Sequence, residues 1–280
     1  MALKSQSAME YLLTYGWAVL AIAIVIIALF QLGVFNSANL TPHSTAGACQ
    51  AVHTAAGSSL AGQCNSAQPK FVAQFNGAGY INVPQKLVIS NQFTSAFWFY
   101  NFGGGLWSTL IAEESWNAGE GWLINMESPW YITYTSPAAG SSLVTGNTNL
   151  NLWYQVVVTN NNGATNVYIN GVNVIAGITS ISNAPVDFYI GARHNNDGTG
   201  ATDLWHGLIS NVQIYNTSLS SSEIASLYQE GIGGVPIDPS HIVGWWPLNG
   251  NAQDYSGDNN NGQAINVGYN STWSSGYVQP

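Results

Sequence analysis

Four carboxylates fall within one short stretch of the chain: Glu113, Glu114, Glu120 and Glu127. Two carboxylates held across a concave sheet can cleave a glycosidic bond, one as acid and the other as nucleophile or base. The same stretch carries Trp107, Trp116, Trp122 and Trp130 among Gly, Glu and Asn. These rings are candidate platforms for a sugar face, and a large β core can absorb them equally well. For Glu113-Glu114-Ser115-Trp116 the expectation is a solvated loop. The five histidines, His43, His53, His194, His206 and His241, show no metal-ligand spacing. There is no G-x-S-x-G elbow and no Gly-rich phosphate loop. Ca²⁺ is a candidate cofactor, because Asn195, Asp197, Asp254 and Asp258 lie in segments rich in oxygen donors. Plain turn chemistry explains the same residues, so both readings stay open.

The two cysteines, Cys49 and Cys64, are close in sequence within a Gly/Ala/Ser-rich stretch. Outside the cytoplasm such a pair forms one disulfide; the alternative is two free thiols, and a C-x-x-C motif is absent. Asn39, Asn216 and Asn270 each open an N-x-S/T sequon and are candidate glycosylation sites, although sequons also arise by chance.

These residues must be positioned by a chain of 280 residues with a net charge of −9 and only four Lys+Arg. So few cations argue against a nucleic-acid partner, which needs clustered Lys and Arg. Hydrophobic residues make up 46% of the chain, with 11 Trp and 14 Tyr, so a sizeable core can form. Solubility then rests on Asn, Ser, Thr and Gly, a balance that suits a surface protein.

Residues 11–35 contain no charge and no Pro, a run long enough to span a bilayer as a helix. Lys4 precedes the run and no basic residue follows until Lys70, so the bulk of the chain is expected outside the membrane. A cleaved secretory signal would have a shorter apolar core and a small-residue site after it. Glu10 stands at the start of the run, either as an interfacial marker or as a functional carboxylate.

The stretch Lys4-Ser5-Gln6-Ser7-Ala8-Met9-Glu10-Tyr11 and the apolar run after it resemble the class III signal and helix of archaeal type IV pilin-like proteins. The resemblance implies cleavage between Ser5 and Gln6, with Lys4 and Ser5 ahead of the cut. Ser5 stands where that family commonly has Gly. Gln6 becomes the mature N-terminus and Glu10 the fifth mature residue, which pairs with a neighbouring subunit's terminal ammonium during filament assembly. The implied partners are the membrane before assembly and further copies of the chain afterwards, in a helical homopolymer.

Beyond residue 70 the pattern is one of short strands: FVAQF, YINV, SAFWFY, STLIA, GWLINM, YQVVVTN, TNVYIN and DFYIGA, bounded by Gly, Asn or Pro. Asn170-Gly171 signals a two-residue hairpin. Ser220-Ser221-Ser222-Glu223 has the form of a capping box ahead of a short helix. Phe75-Asn76-Gly77, residues 93–99, Trp153 to Val158, Val167 to Gly171, Tyr189 to Ala192 and Gly207 to Asn216 follow one another in the order of a laminin-G-like, concanavalin A-like jelly roll, which they resemble. Trp153 and Trp205 are expected in its core. Glycosidases of that fold carry an alternating E-x-D-x-E strand, which this chain lacks. Residues 246–262 are similar to the opening of such a domain, yet stand near the end, so permutation is expected. In that arrangement residues 243–248 pair with residues 207–215.

The sequence therefore predicts a leader (1–5), an apolar transmembrane or pilin helix (6–35), a disulfide-stapled connector (36–69) and an all-β jelly roll (70–280). Segment 242–280 completes the sandwich in permuted order. The expected function is that of a membrane-anchored surface filament subunit, not an enzyme, whose head mediates adhesion to a glycan or surface protein. The rivals are a solitary membrane-anchored lectin and a surface glycosidase.

Overall fold

The computed structural model describes residues 6–31, 49–54, 57–62, 64, 68–87, 90–105, 107–137, 140–182, 186–195 and 200–280. Two compact units result, residues 1–43 and 44–280. The first contains the helix α1 (Gln6–Gln31). Its side chains are described over residues 15–27, where Tyr15, Trp17, Leu20, Ile22 and Ile24 are all exposed. Among the described residues no helix is long and apolar enough to cross a membrane. Lys4, Ser5 and Asn39 lie outside the described residues, as does the side chain of Glu10.

The second unit is a sandwich of two antiparallel sheets. The eight-stranded sheet runs β12 (Val172–Ile178), β11 (Ala164–Ile169), β10 (Trp153–Asn161), β5 (Gln92–Asn101), β16 (His206–Tyr215), β3 (Val72–Asn76) and β19 (Gly268–Asn270), with β17 (Ile242–Trp246) also on β16. The seven-stranded sheet runs β18 (Gln263–Ile265), β4 (Tyr80–Val83), β13 (Phe188–Ile190), β6 (Trp107–Ser115), β7 (Glu120–Glu127), β8 (Tyr131–Ser136) and β9 (Ser141–Asn147). Two small hairpins are added, β1 (Cys49–Thr54) with β2 (Gly57–Gly62), and β14 (Arg193–His194) with β15 (Ala201–Thr202).

Alternation sets the core. Phe93, Phe97 and Phe99 of β5 meet Trp122, Ile124 and Met126 of β7 and Ile132 and Tyr134 of β8 between the sheets. β5 is central, with every residue after Gln92 buried, because its other face is covered too. Ala96, Val157, Tyr168 and Tyr215 on that outer face pack under Ile224 and Leu227 of the helix α2 (Ser221–Gln229), and with Cys49 and Ala51 of β1. Trp98, Trp153 and Leu208 pack with Ile232 and Trp273 of the tail. The eight-stranded sheet is thus roofed by α2, the β1–β2 hairpin and the tail.

Local chemistry fixes the remaining joints. Asn170 and Gly171 both take positive φ, as the tight turn between β11 and β12 requires. Ser220 caps α2 by accepting from the Glu223 N–H, while the Glu223 carboxylate accepts from the Ser220 N–H at 2.7 Å. The C-terminal segment enters the sandwich: Val212 faces Trp246 and Gln213 faces Trp245 across β16 and β17. Pro247, which has no N–H to give a ladder, follows the last residue of β17. β18 and β19 then join β4 and β3, so the tail contributes to both sheets.

One expectation needs correction. Glu113 and Glu114 are not on a solvated loop: both are buried residues of β6, and Glu113 accepts a hydrogen bond from the Leu87 N–H at 2.9 Å. The expected Cys49–Cys64 disulfide is present, and it belongs to the second unit. Cys49 and Cys64 are bonded, with Cα atoms 4.9 Å apart, and the hairpin beside them packs on the sheet through Ala51, whose N–H donates to Tyr255 O. The Asp254 carboxylate, a Ca²⁺ candidate, is engaged by the protein's own donors. Oδ1 accepts from the N–H groups of Trp245 and Ser256, and Oδ2 from the Asn260 N–H and the Ser256 hydroxyl. With all its acceptor directions taken, this carboxylate organises the turn after β17.

Candidate functional site

The outer face of the seven-stranded sheet is read from the parity of β7. Trp122, Ile124 and Met126 point into the sandwich, so Leu123, Asn125 and Glu127 point out. Their cross-strand neighbours share that face: Trp107 opposite Glu127, Thr109 and Thr133 opposite Asn125, and Thr135 opposite Leu123. Ser142 and Val144 of β9 continue it. Arg193 and Asp203 rise at one end from the β14–β15 hairpin, with Trp116 on the single 3₁₀ turn after β6. Together these side chains line a cleft of about 540 Å³.

Two rings are presented there. Trp107 is 60% exposed and Trp116 49% exposed, large values for residues whose burial is strongly favourable. Trp122 is corrected as a candidate: it is 1% exposed and packs against Phe93 and Phe188, because its parity on β7 is inward. Trp130 is half-buried against the inter-sheet core and does not line the cleft.

The charges form one chain. Arg193 Nη1 donates to Glu114 Oε1 at 3.1 Å, and Arg193 Nε donates to Asp203 Oδ2. The guanidinium carbon also lies 6.0 Å from the centre of the Trp116 ring, within cation–π range. Burial raises the pKa of the Glu114 carboxyl, and the hydrogen bond and charge of Arg193 only partly offset this. For Arg193, burial opposes the charged form, but Asp203 and Glu114 together win and raise its pKa. The two partners differ because one guanidinium serves two carboxylates. Glu114 Oε2 is left buried without a hydrogen bond, so the ion pair favours the arginine more than the glutamate. On the cleft floor Asn125 Nδ2 donates to Glu127 Oε1 at 3.2 Å, leaving Asn125 Oδ1 without a partner.

The other candidates lie apart from this cleft. Asp258 pairs with His53 at 3.8 Å beside the disulfide hairpin. Asn195 closes the β14–β15 hairpin through its N–H to Gly200 O, and Asp197 is outside the described residues. Among the described residues no three His, Cys, Asp or Glu side chains group as metal ligands. Asn216 is exposed at the end of β16, whereas the Asn270 amide donates to Gln74 Oε1 at 3.2 Å. Arg193, Asp203 and Asn125 were not singled out in the sequence. Only the alternation of GWLINM could have marked Asn125 as facing away from the core.

Comparison with known proteins places this architecture. The family described as the concanavalin A-like lectin/glucanases superfamily (Laminin_G_3) matches residues 75–225. No curated protein matches the sequence. Among solved structures the chain is similar to a candidate carbohydrate binding protein from Bacteroides ovatus, with a TM-score of 0.56 and 17% identity over 73% of this chain. It spans 60% of that protein's length. It is also similar to a heptameric SAP-like pentraxin from Limulus polyphemus, with a TM-score of 0.54 and 16% identity, covering 71% of this chain and 94% of that one. At these identities the likeness is one of fold.

Proposed function

The chain belongs to the concanavalin A-like lectin/glucanases superfamily, and from that premise we propose that its sandwich is a non-catalytic, carbohydrate-binding head. The observation that carries this reading is the cleft on the outer face of the seven-stranded sheet, with Trp107 and Trp116 exposed at a floor of Leu123, Asn125, Thr135 and Ser142. Exposed rings beside convergent hydrogen-bonding groups suit a sugar, whose apolar face stacks while its hydroxyls bond. Hydrolysis would need one free carboxylic acid and one free carboxylate across the scissile bond. Glu114 is fully buried and tied to Arg193, Asp203 is tied to the same guanidinium, and Glu127 holds Asn125. This set favours binding over turnover.

We propose further that the head is displayed at the cell surface by α1, as in a type IV pilin-like filament. The uncharged run of residues 11–35 supports this, as does the all-round exposure of apolar side chains over residues 15–27. A helix with no polar face is covered by lipid or by other helices. Glu10 at its start gives one carboxylate for a neighbouring subunit's ammonium. The test of the head is a glycan array probed with the full chain and with a Trp107→Ala/Trp116→Ala double variant. The proposal expects glycan signals that the double variant loses, and no product release from any bound glycan. Equal signals from both proteins, or hydrolysis, would overturn it.

A further inference from the structure

Among the described residues Arg193 is the one basic side chain lining the cleft. Asp203 and Glu114 already hold its Nε and Nη1. Glu127 brings a further carboxylate at the other end, opposite Trp107. The lining therefore carries net negative charge, and its guanidinium is already paired with two carboxylates. A ligand carboxylate or sulfate entering here would be desolvated against like charge.

The two rings also set a length. Trp107 opens β6, and Glu114, which holds the arginine beneath Trp116, lies seven residues further along the same strand. At roughly 3.3 Å per residue that is about 23 Å of strand, far longer than one sugar ring. Between the ends, Leu123, Asn125, Thr135 and Ser142 form a low, uncharged floor.

We infer that the cleft takes an uncharged, linear oligosaccharide laid along β6 and β7, with one ring on Trp107 and a distant ring of the same chain on Trp116. This rests on the carbohydrate-binding reading above and narrows it. Arg193 is a positioning residue that braces Trp116, and not an anion receptor.

The experiment is titration calorimetry with the full chain. The probes are neutral gluco-, manno-, galacto- and xylo-oligosaccharides from monosaccharide to hexasaccharide, beside uronic, sialylated and sulfated counterparts. Affinity is expected to climb with length in a neutral series. Trp107→Ala and Trp116→Ala are each expected to lower hexasaccharide affinity by about tenfold, the loss of roughly 50 Å² of apolar stacking at about 25 cal/mol/Å². Tightest binding to an acidic glycan, or a monosaccharide bound as tightly as its hexamer, overturns this inference while the head stays a carbohydrate binder. Absence of binding to every probe overturns both readings.

Discussion

Trp246→Ala tests whether the C-terminal segment belongs to the sandwich. Trp246 is 0% exposed and stacks on Phe188, with ring centres 5.5 Å apart. Its Nε1 donates to Asn260 O at 3.0 Å, tying β17 to the turn that Asp254 organises. Truncating a buried Trp to Ala costs about 3–5 kcal/mol, from lost transfer energy and the cavity left behind. The Asn260 carbonyl would lose its partner as well, which places the expected cost near the upper end. Against a domain stability of about 5–15 kcal/mol, this is a third or more of the total. A loss of that size lowers Tm by roughly 10 °C in a domain of this length. Urea unfolding of the full chain, followed by near-UV circular dichroism, measures it. Trp246→Phe retains the stacking and should cost only about 1–2 kcal/mol. Trp116→Ala, at an exposed site, is the control and should stay within about 0.5 kcal/mol. A Trp246→Ala cost below about 1 kcal/mol would refute the integration of the tail.

The Cys49→Ser/Cys64→Ser variant should lose about 3 kcal/mol in the same assay, from the 15-residue separation that the bond closes; an unchanged midpoint would contradict it. Glu114 has a folded pKa raised above 4.5, so it binds more protons folded than unfolded in the window just above that value. Its contribution to stability is therefore full below 4.5 and falls as pH rises through the folded pKa. Relative to Glu114→Gln, the wild type should lose ground across that rise, and a difference moving in its favour would be the wrong sign. Glu10→Ala should leave the head folded and abolish surface filaments seen by electron microscopy; normal filaments would favour a solitary tether.

Much of the fold could be read from local chemistry. The Asn170-Gly171 turn, the Ser220–Glu223 cap and the apolar run of β5 are decided within a few residues, and each is where its signal placed it. The pairing of residues 243–248 with β16 was expected from the resemblance to a jelly roll whose opening and closing strands are neighbours, and Ile242–Trp246 do pair with Val212–Tyr215. The cleft was harder to see. Trp116 and Trp122 are six residues apart in similar company, yet one is presented and the other is core. Trp122 is carried inward by its parity on β7, whereas Trp116 stands on the 3₁₀ turn between β6 and β7. Glu114 looked like a surface acid because its counter-ion, Arg193, is 79 residues away in sequence. Asp254 looked like a metal ligand because a turn rich in Asn, Asp and Gly has the same composition whether its carboxylate faces a cation or backbone N–H groups.

The central claim is that glycans are held on the outer face of the seven-stranded sheet. A crystal structure of the chain grown with the tightest-binding glycan from the array tests it directly. The account predicts sugar rings stacked on Trp107 and Trp116. Sugar bound on the roofed side of the eight-stranded sheet, or at a loop rim away from both rings, would contradict it.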